Sequence, residues 1–261
     1  MIHQPYYTID FTAVKCRFEV LINDIPVISL ETEGQMSPNV PINFGIFKSG
    51  KQKVIINLFP VSGENLLDDK TKFEYAIKLF DVHGESFSHV KDCVSNQIQI
   101  SRKEPNFQQS AFFEADIAYT MSSFEDSVDL SLAVKDNAVD VNNRLETIYK
   151  KINACFVNNQ YDSLFEIIKN RENNMALSMY LSEADANARI NSLIEDSQNG
   201  FLPMPLSYDK VLKIYGNGKL ATYKKINGEP AFFLYNKNTG EELMLDLMFH
   251  IPKGKNEFEV I

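Results

Sequence analysis

The stretch Lys15-Cys-Arg-Phe-Glu-Val-Leu-Ile-Asn-Asp-Ile-Pro-Val27 decides the fold of the first half of the chain. Within residues 16–22, apolar side chains alternate with Arg17, Glu19 and Leu21, which is the period of a β-strand with one buried face. Asn23-Asp24 is typical of a tight turn, and residues 25–30 are expected to return as the partner strand. The pattern predicts an antiparallel hairpin.

Residues 1–121 continue as short apolar runs separated by Gly, Pro, Asn and Asp. After the turn Phe47-Lys-Ser-Gly50, the run at 54–59 is almost entirely apolar, as in a strand buried on both faces. Further strands are predicted at 11–14, 73–82, 96–100 and 111–119. About seven strands with this punctuation fit an antiparallel β-sandwich, so residues 1–121 are predicted to form an all-β sandwich domain.

In the second half of the chain, the spacing of apolar residues changes from that of strands to that of helices and then back. Residues 122–140 are rich in Ser, Asp and Glu and are predicted to be a linker or crossing segment, although 130–134 could also be a last strand. Three helices are predicted next: the first is capped by Asp140, the second by Asp162, and the third spans about 174–197. Strands follow at 211–215 and 220–224 around a glycine turn, then at 231–235 and 242–251. Residues 141–261 are therefore predicted to be an α+β domain.

The charge and composition of the chain limit the classes of partner and the cellular location that are expected. The 261-residue chain has a net charge of −9, with 18 acidic and 11 basic side chains in residues 1–130. Such a protein is poorly suited to phosphate backbones, so no nucleic-acid partner is expected. The N-terminus lacks a signal-peptide pattern, and no apolar run approaches the ~18 residues of a membrane span. Three widely spaced cysteines are an odd number, which favours reduced thiols and a cytoplasmic location.

The first half resembles the immunoglobulin-like or jelly-roll modules of bacterial proteins. The hairpin at 20–27 and the Ser49-Gly50 turn before the strand at 54–58 carry the resemblance. It implies a sandwich that binds something, in some relatives a carbohydrate. Asp24 stands where that hairpin usually has a glycine, and Gln52 where an Asn is usual, so a sugar ligand is not expected.

The second half is similar to the nuclear transport factor 2-like, or SnoaL-like, superfamily. Its order of helices before strands matches, and the tail at 245–260 resembles the closing hairpin of that family, with Phe258 where a Trp is usual. The resemblance implies a curved antiparallel sheet wrapped into a cone around a pocket. It also makes a homodimer through the sheet face an expectation to test.

The predicted strand 242–251 is the best place for a site. Five apolar residues share one face, while Met244, Asp246, Met248 and His250 share the other. Asp246 and His250 could be an acid/base pair, although their spacing of four residues places them roughly 13 Å apart on a strand, so that a substrate would have to bridge them. The alternative is a solvent-facing or satisfied polar pair. The predicted pocket candidates are Met244, Met248, Tyr215 and Tyr235.

Other clusters carry weaker signals. The potential metal ligands between Asp81 and Cys93 match no compact zinc spacing and read as a polar loop, so neither a metal nor a cofactor is predicted; they are Asp81, His83, His89, Asp92 and Cys93. Five lysines around the 216–218 turn could meet an anionic surface, but lysines that protect a sheet edge are the favoured interpretation; they are Lys210, Lys213, Lys219, Lys224 and Lys225.

These observations favour a non-catalytic binding or protein-interaction protein of bacterial type, such as an immunity or adaptor protein, with a protein partner. The alternative is an isomerase or hydrolase of the cone fold that acts on a small apolar ligand with Asp246 and His250. A deep apolar pocket would favour the enzyme, whereas a filled interior would favour the interaction protein.

Overall fold

The computed structural model describes residues 2–84 and 86–261. It is a mixed α/β protein that contains a large, curled antiparallel sheet. The chain divides into two compact units. The first unit extends to Thr120 and includes Ser178–Tyr180; the second comprises Met121–Leu177 and Leu181–Ile261.

The first unit is built from strands around one long central strand, β1. A short 3₁₀ turn at Asn43–Gly45 follows the third strand. The strands described are β1 Pro5–Ile22, β2 Ile25–Met36, β3 Asn39–Pro41, β4 Gly50–Phe59, β5 Lys72–His83, β6 Ser86–Gln99 and β7 Phe107–Ala115. They pair in the order β6-β5-β1-β4-β7, and β2 and β3 also pair with β1.

A bulge at Lys15 divides β1 into two parts that pair with different strands. Residues 5–14 pair with β5, residues 17–22 pair with β4, and the register shifts between Val14 and Cys16. Lys15 has a φ of 48°, so the side of the strand that faces inward changes there from odd to even residue numbers. Both halves therefore point into one core; their buried residues are Tyr7, Ile9, Phe11, Ala13, Cys16, Phe18, Val20 and Ile22.

Aromatic rings from three positions fill the centre of this core. The ring centroids of Phe11, Phe18 and Phe73 lie 5.0–5.5 Å from one another. Two of these rings come from opposite halves of β1, and they meet because the strand bends at Lys15. The sheet thus curls around a core to which both halves of its own central strand contribute.

Several sequence predictions for this unit hold. The Asn23-Asp24 turn is confirmed, with φ values of 53° and 66°, and the strands predicted at 54–59 and 73–82 are β4 and β5. The strands predicted at 11–14 and 16–22 are parts of one strand. The interpretation of residues 83–93 as a polar loop is wrong, since β6 begins at Ser86 and most of its side chains are exposed. β7 ends at Ala115 rather than at 119.

The second unit combines helices with short strands. The helices are α1 Leu130–Val157, α2 Tyr161–Ser178 and α3 Glu183–Gln198. The strands are β8 Phe201–Pro203, β9 Val211–Tyr215, β10 Leu220–Lys224, β11 Phe233–Asn236, β12 Glu242–Met244, β13 Phe249–His250 and β14 Glu259–Val260. They form two small antiparallel sheets, β14-β13-β10-β9 and β12-β11-β8, and not the single curved sheet that was predicted.

The first helix begins eleven residues earlier than predicted. The side chain of Asp129 accepts hydrogen bonds from the backbone N–H groups of Ser131 and Leu132, and it is therefore the N-cap in place of Asp140. The helix is interrupted at Asn137, whose backbone is not helical. Residues 130–140, predicted as the end of a linker, are thus part of α1. Likewise, the helix predicted at 174–197 is the end of α2 followed by α3, which Ser182 caps.

The residues before α1 are held by backbone hydrogen bonds. The N–H of Val128 donates to the carbonyl of Ile251 (2.9 Å), and the N–H of Leu130 donates to the carbonyl of Gly218 (2.7 Å). Gly216 has a φ of 60° and a Cβ there would lie 2.9 Å from the ring of Phe124, so glycine is required for this close approach. The segment therefore packs as part of the second unit.

Tyr149 of α1 lies at the centre of the core of the second unit. Its ring centroid is 4.8 Å from that of Phe249, 5.5 Å from Tyr223 and 5.9 Å from Phe232. Its hydroxyl bonds with Thr222 Oγ1 (3.1 Å), and burial raises its pKa. Aromatic side chains thus occupy the space between α1 and the sheets.

Candidate functional site

The segment that the sequence singled out, 242–251, is not one strand. β12 ends at Met244 and β13 begins at Phe249, with irregular backbone between them. The predicted apolar face is largely correct, since Leu247, Phe249 and Ile251 are buried. The predicted polar face is divided, because Asp246 is exposed whereas His250 is only 6% exposed. These two side chains therefore lie in different environments.

The carboxylate of Asp246 is engaged by a buried lysine. Lys224 Nζ donates to Asp246 Oδ2 at 2.7 Å, and the Lys224 side chain is 2% exposed whereas that of Asp246 is 45% exposed. The backbone carbonyl of Asp246 accepts from Arg171 Nε at 3.2 Å. Lys224 was predicted among the exposed lysines of the hairpin, which is wrong for this residue: every residue of β10 is buried.

His250 lies in the core and contacts a serine. Its Nδ1 is 2.7 Å from Ser127 Oγ, and its Nε2 is buried without a hydrogen-bond partner among the residues described. Burial lowers the pKa of His250, which favours the neutral imidazole, while Glu259 raises the pKa and Lys255 lowers it. The Ser127–His250 hydrogen bond therefore links the segment before α1 to β13.

Met244 lies in a cleft that we call the α2–α3 cleft. It has a volume of about 320 Å³ and is lined by Arg171 and Glu172 of α2, by Arg189 of α3, and by Leu243, Met244 and Leu245. Met244 is 37% exposed. The cleft thus combines apolar side chains from the β12 segment with charged groups from two helices.

Glu172 organises the charges of the cleft. The residue is only 9% exposed; its Oε2 accepts from Arg189 Nε at 2.8 Å, and its Oε1 contacts Arg171 Nη1. Because Arg171 also bonds to the Asp246 carbonyl, the cleft is continuous with the Asp246–Lys224 ion pair. One buried carboxylate therefore fixes two guanidinium groups, a geometry suited to presenting donors to a ligand.

The remaining pocket candidates lie elsewhere. Tyr215 is buried at the end of β9, where its carbonyl accepts from Gly218 and Lys219 in the hairpin turn. Tyr235 is half-buried in β11, paired with Leu202 and Glu242. Met248 is half-buried between β12 and β13. Met244 therefore lies in the cleft and Asp246 at its edge, whereas Tyr215, Tyr235 and Met248 do not line it.

Sequence reasoning missed Arg171, Glu172 and Arg189. Glu172 and Arg189 are 17 residues apart on different helices, so no local spacing connects them. The only available signal was a glutamate, Glu172, within the apolar periodicity of α2. Among the potential metal ligands of the first unit, His83 pairs with Asp81 (3.1 Å) and His89 with Asp92 (2.9 Å). In the described part of the chain, no three such side chains are grouped as a metal site.

Comparison of the chain with protein-family models, curated proteins and solved structures finds no match. The fold and the cleft define a class only at the level of a mixed α/β protein with a curled antiparallel sheet. Among the described residues, no helix combines the length and the apolar character needed to cross a membrane. The function must therefore be argued from the geometry of the side chains.

Proposed function

We propose that this protein is a non-catalytic binding protein whose partner is another protein, and that the α2–α3 cleft receives part of that partner. The observation that carries the proposal is the buried Glu172 carboxylate, which fixes Arg171 and Arg189 beside the exposed Met244. Arginine and methionine are enriched in protein interfaces, and a preorganised arginine loses less conformational freedom on binding.

The cleft offers both apolar area and free donors. Arg189 uses its Nε for Glu172 and its side chain remains 42% exposed, so its terminal nitrogens can donate to a carboxylate or a carbonyl of the partner. Leu243, Leu245 and Met244 supply the apolar wall. A volume of about 320 Å³ is suited to a projecting side chain of a partner.

The alternative, a small-molecule isomerase or hydrolase, has less support. An acid/base pair needs two groups that can reach one substrate. Asp246 is engaged by Lys224, and His250 is buried against Ser127. The rings around Tyr149 fill the centre of the core of the second unit. The cavity of about 410 Å³ beside them is lined by neither Asp246 nor His250, so it offers no shared pocket to this pair.

The proposal extends to the domain architecture, the cellular location and the kind of partner. We propose two domains, a β-sandwich in the first unit and an α+β domain in the second; the curled sheet of the first unit and the division into two compact units support this. A cytoplasmic location is supported by three free thiols, Cys16, Cys93 and Cys155. The net charge of −9 suits a role such as an immunity or adaptor protein with a basic partner, and a homodimer is a further proposal.

Site-specific crosslinking in cells that produce the protein tests the proposal. A photo-crosslinking amino acid at position 244 should yield a discrete adduct with one protein, identified by mass spectrometry. The matched control is position 226, where Ile226 is 66% exposed in a turn and does not line the cleft. We expect no such adduct there, and we expect the adduct at 244 to disappear when Arg189→Glu is added.

Two results would contradict the proposal. One is the same adduct pattern from positions 244 and 226, because it would indicate non-specific contact. The other is turnover of a small ester or ketone by the purified protein that is abolished in Asp246→Asn, because it would favour the enzyme.

A further inference from the structure

A second cavity of the second unit lies beside the aromatic core and contains none of the residues that the sequence singled out as pocket candidates. Its volume is about 410 Å³, within the range of small-molecule sites. The helix α1, the segment after β8 and the residue before β11 form its walls. Its lining side chains include Glu146, Tyr149, Lys150, Asn153, Met204, Leu206, Lys210 and Phe232.

The floor of this cavity is apolar and fixed. Tyr149 and Phe232 are almost fully buried, and each packs against other rings of the core. Met204 stands between Pro203 and Pro205, and its N–H donates to the carbonyl of Phe233 at 3.0 Å. Because proline restricts the backbone on both sides, Met204 forms a wall that is already in place before a ligand arrives.

The rim of the cavity carries an excess of positive charge. Glu146 contacts two ammonium groups, Lys210 Nζ at 3.0 Å and Lys150 Nζ at 3.3 Å. The hydrogen bond from Lys210 lowers the pKa of Glu146 and keeps it ionised. One carboxylate faces two lysines, so the rim is locally positive in a chain whose net charge is −9. Lys210 Nζ also lies 5.3 Å from the centroid of the Tyr223 ring.

We propose that this cavity binds a small amphiphilic monocarboxylate, with its apolar part on Tyr149, Phe232 and Met204 and its carboxylate at Lys210 and Lys150. The apolar floor excludes a purely polar ligand, because a polar group buried there would lose its hydrogen bonds to water. The charge of the rim favours an anion over a cation. The half-buried amide of Asn153 supplies a further donor at the wall. The site is separate from the α2–α3 cleft and does not depend on a protein partner there.

Three probes of equal chain length and different head group test the proposal: octanoate, octanol and octylamine. Titration calorimetry on the purified full chain should show the tightest binding for octanoate and the weakest for octylamine. Lys210→Gln should weaken octanoate binding by about tenfold, because a charge-assisted hydrogen bond is lost, and should leave octanol binding within about twofold. Lys213→Gln is the matched control on the neighbouring strand, and it should change neither.

Leu206→Trp, which fills the cavity, should abolish binding of octanoate and octanol alike. Circular dichroism shows whether the Leu206→Trp variant folds. If it does not fold, the comparison of Lys210→Gln with the original chain still tests the proposal. Three results would overturn the proposal: octylamine binding as tightly as octanoate, equal octanoate affinity in Lys210→Gln and the original chain, or no binding of any probe at millimolar concentration.

Discussion

The two units bury polar groups of different kinds. In the described part of the first unit, the buried polar side chains are neutral: Thr8, Asn43, Gln52, Thr71 and Ser178. Asn43 accepts from the N–H of Tyr7 and donates to the carbonyl of Pro5, while Gln52 donates to the carbonyls of Lys48 and Gly50. These side chains satisfy backbone groups where strands and turns meet, and their role is to complete the sheet.

The second unit buries a carboxylate, an ammonium group and an imidazole, namely Glu172, Lys224 and His250. A buried charge is costly unless a partner compensates it, and such groups add little to stability compared with apolar residues of the same size. Their presence in the second unit alone, among the described residues, favours that unit as the place of function. Both proposed sites lie there, and the Glu172 cluster belongs to one of them.

The largest expected effect compares one ion pair from each unit. Asp246→Asn leaves Lys224 buried without an anionic partner, and we expect a loss of roughly 2–3 kcal/mol in the free energy of unfolding, less than for a fully buried pair because Asp246 is partly exposed. Asp10→Asn in the first unit removes the partner of Lys78, but both side chains of that pair are partly exposed. We expect less than about 1 kcal/mol there.

Urea denaturation of the two variants measures this difference. The double variant Asp246→Asn with Lys224→Met should recover most of the loss, because it replaces an unpaired charge with an apolar side chain of similar length. Equal losses in Asp246→Asn and Asp10→Asn would remove the distinction between the units.

The next effect concerns acid. Burial lowers the pKa of His250 in the folded protein, so the unfolded chain binds more protons once the pH falls below the ordinary histidine pKa of about 6.5. The contribution of neutral His250 to the free energy of unfolding is fully present above that pH. It is lost as the pH falls from the unfolded pKa to the lower pKa of the folded protein. The slope for one group is at most about 1.4 kcal/mol for each pH unit.

Denaturation at a series of pH values between 7 and 5 checks this slope. His250→Gln should remove its contribution, whereas His83→Gln should keep it, because His83 is largely exposed on the first unit. A pH dependence that is the same in both variants would show that the acid sensitivity arises elsewhere.

The sequence predicted those parts of the fold in which one face of an element is buried. The alternation of residues 16–22, the turn after them and the hairpin around 216–218 were recognisable because local pattern and burial agree. The end of β6 was predicted by the strand at 96–100, but residues 86–95 were missed because their side chains are mostly exposed and show no apolar alternation. The early start of α1 was missed because its anchors, Gly218 and Ile251, lie far away in the sequence.

The candidate site was predictable only in part, for a related reason. Met244 and Asp246 were singled out by a local pattern, and both lie at or beside the α2–α3 cleft. Their charged neighbours come from other elements, so only tertiary packing brings them together. The pairing of Asp246 with His250 assumed a continuous strand, but the backbone from 245 to 248 is irregular.

The smallest expected effect tests the bulge that gives the first unit its single core. Lys15 adopts a φ of 48°, and its ammonium group contacts Asp68 and Glu64. Lys15→Gly removes these partly exposed ion pairs but suits the left-handed backbone, so we expect the melting temperature to stay within about 2 °C of the original. Lys15→Val removes the same ion pairs and places a β-branched residue at a positive φ. If the backbone at this position sets the change of inward face, the valine variant melts several degrees below the glycine variant; if the two melt together, the positive φ at Lys15 does not set that change.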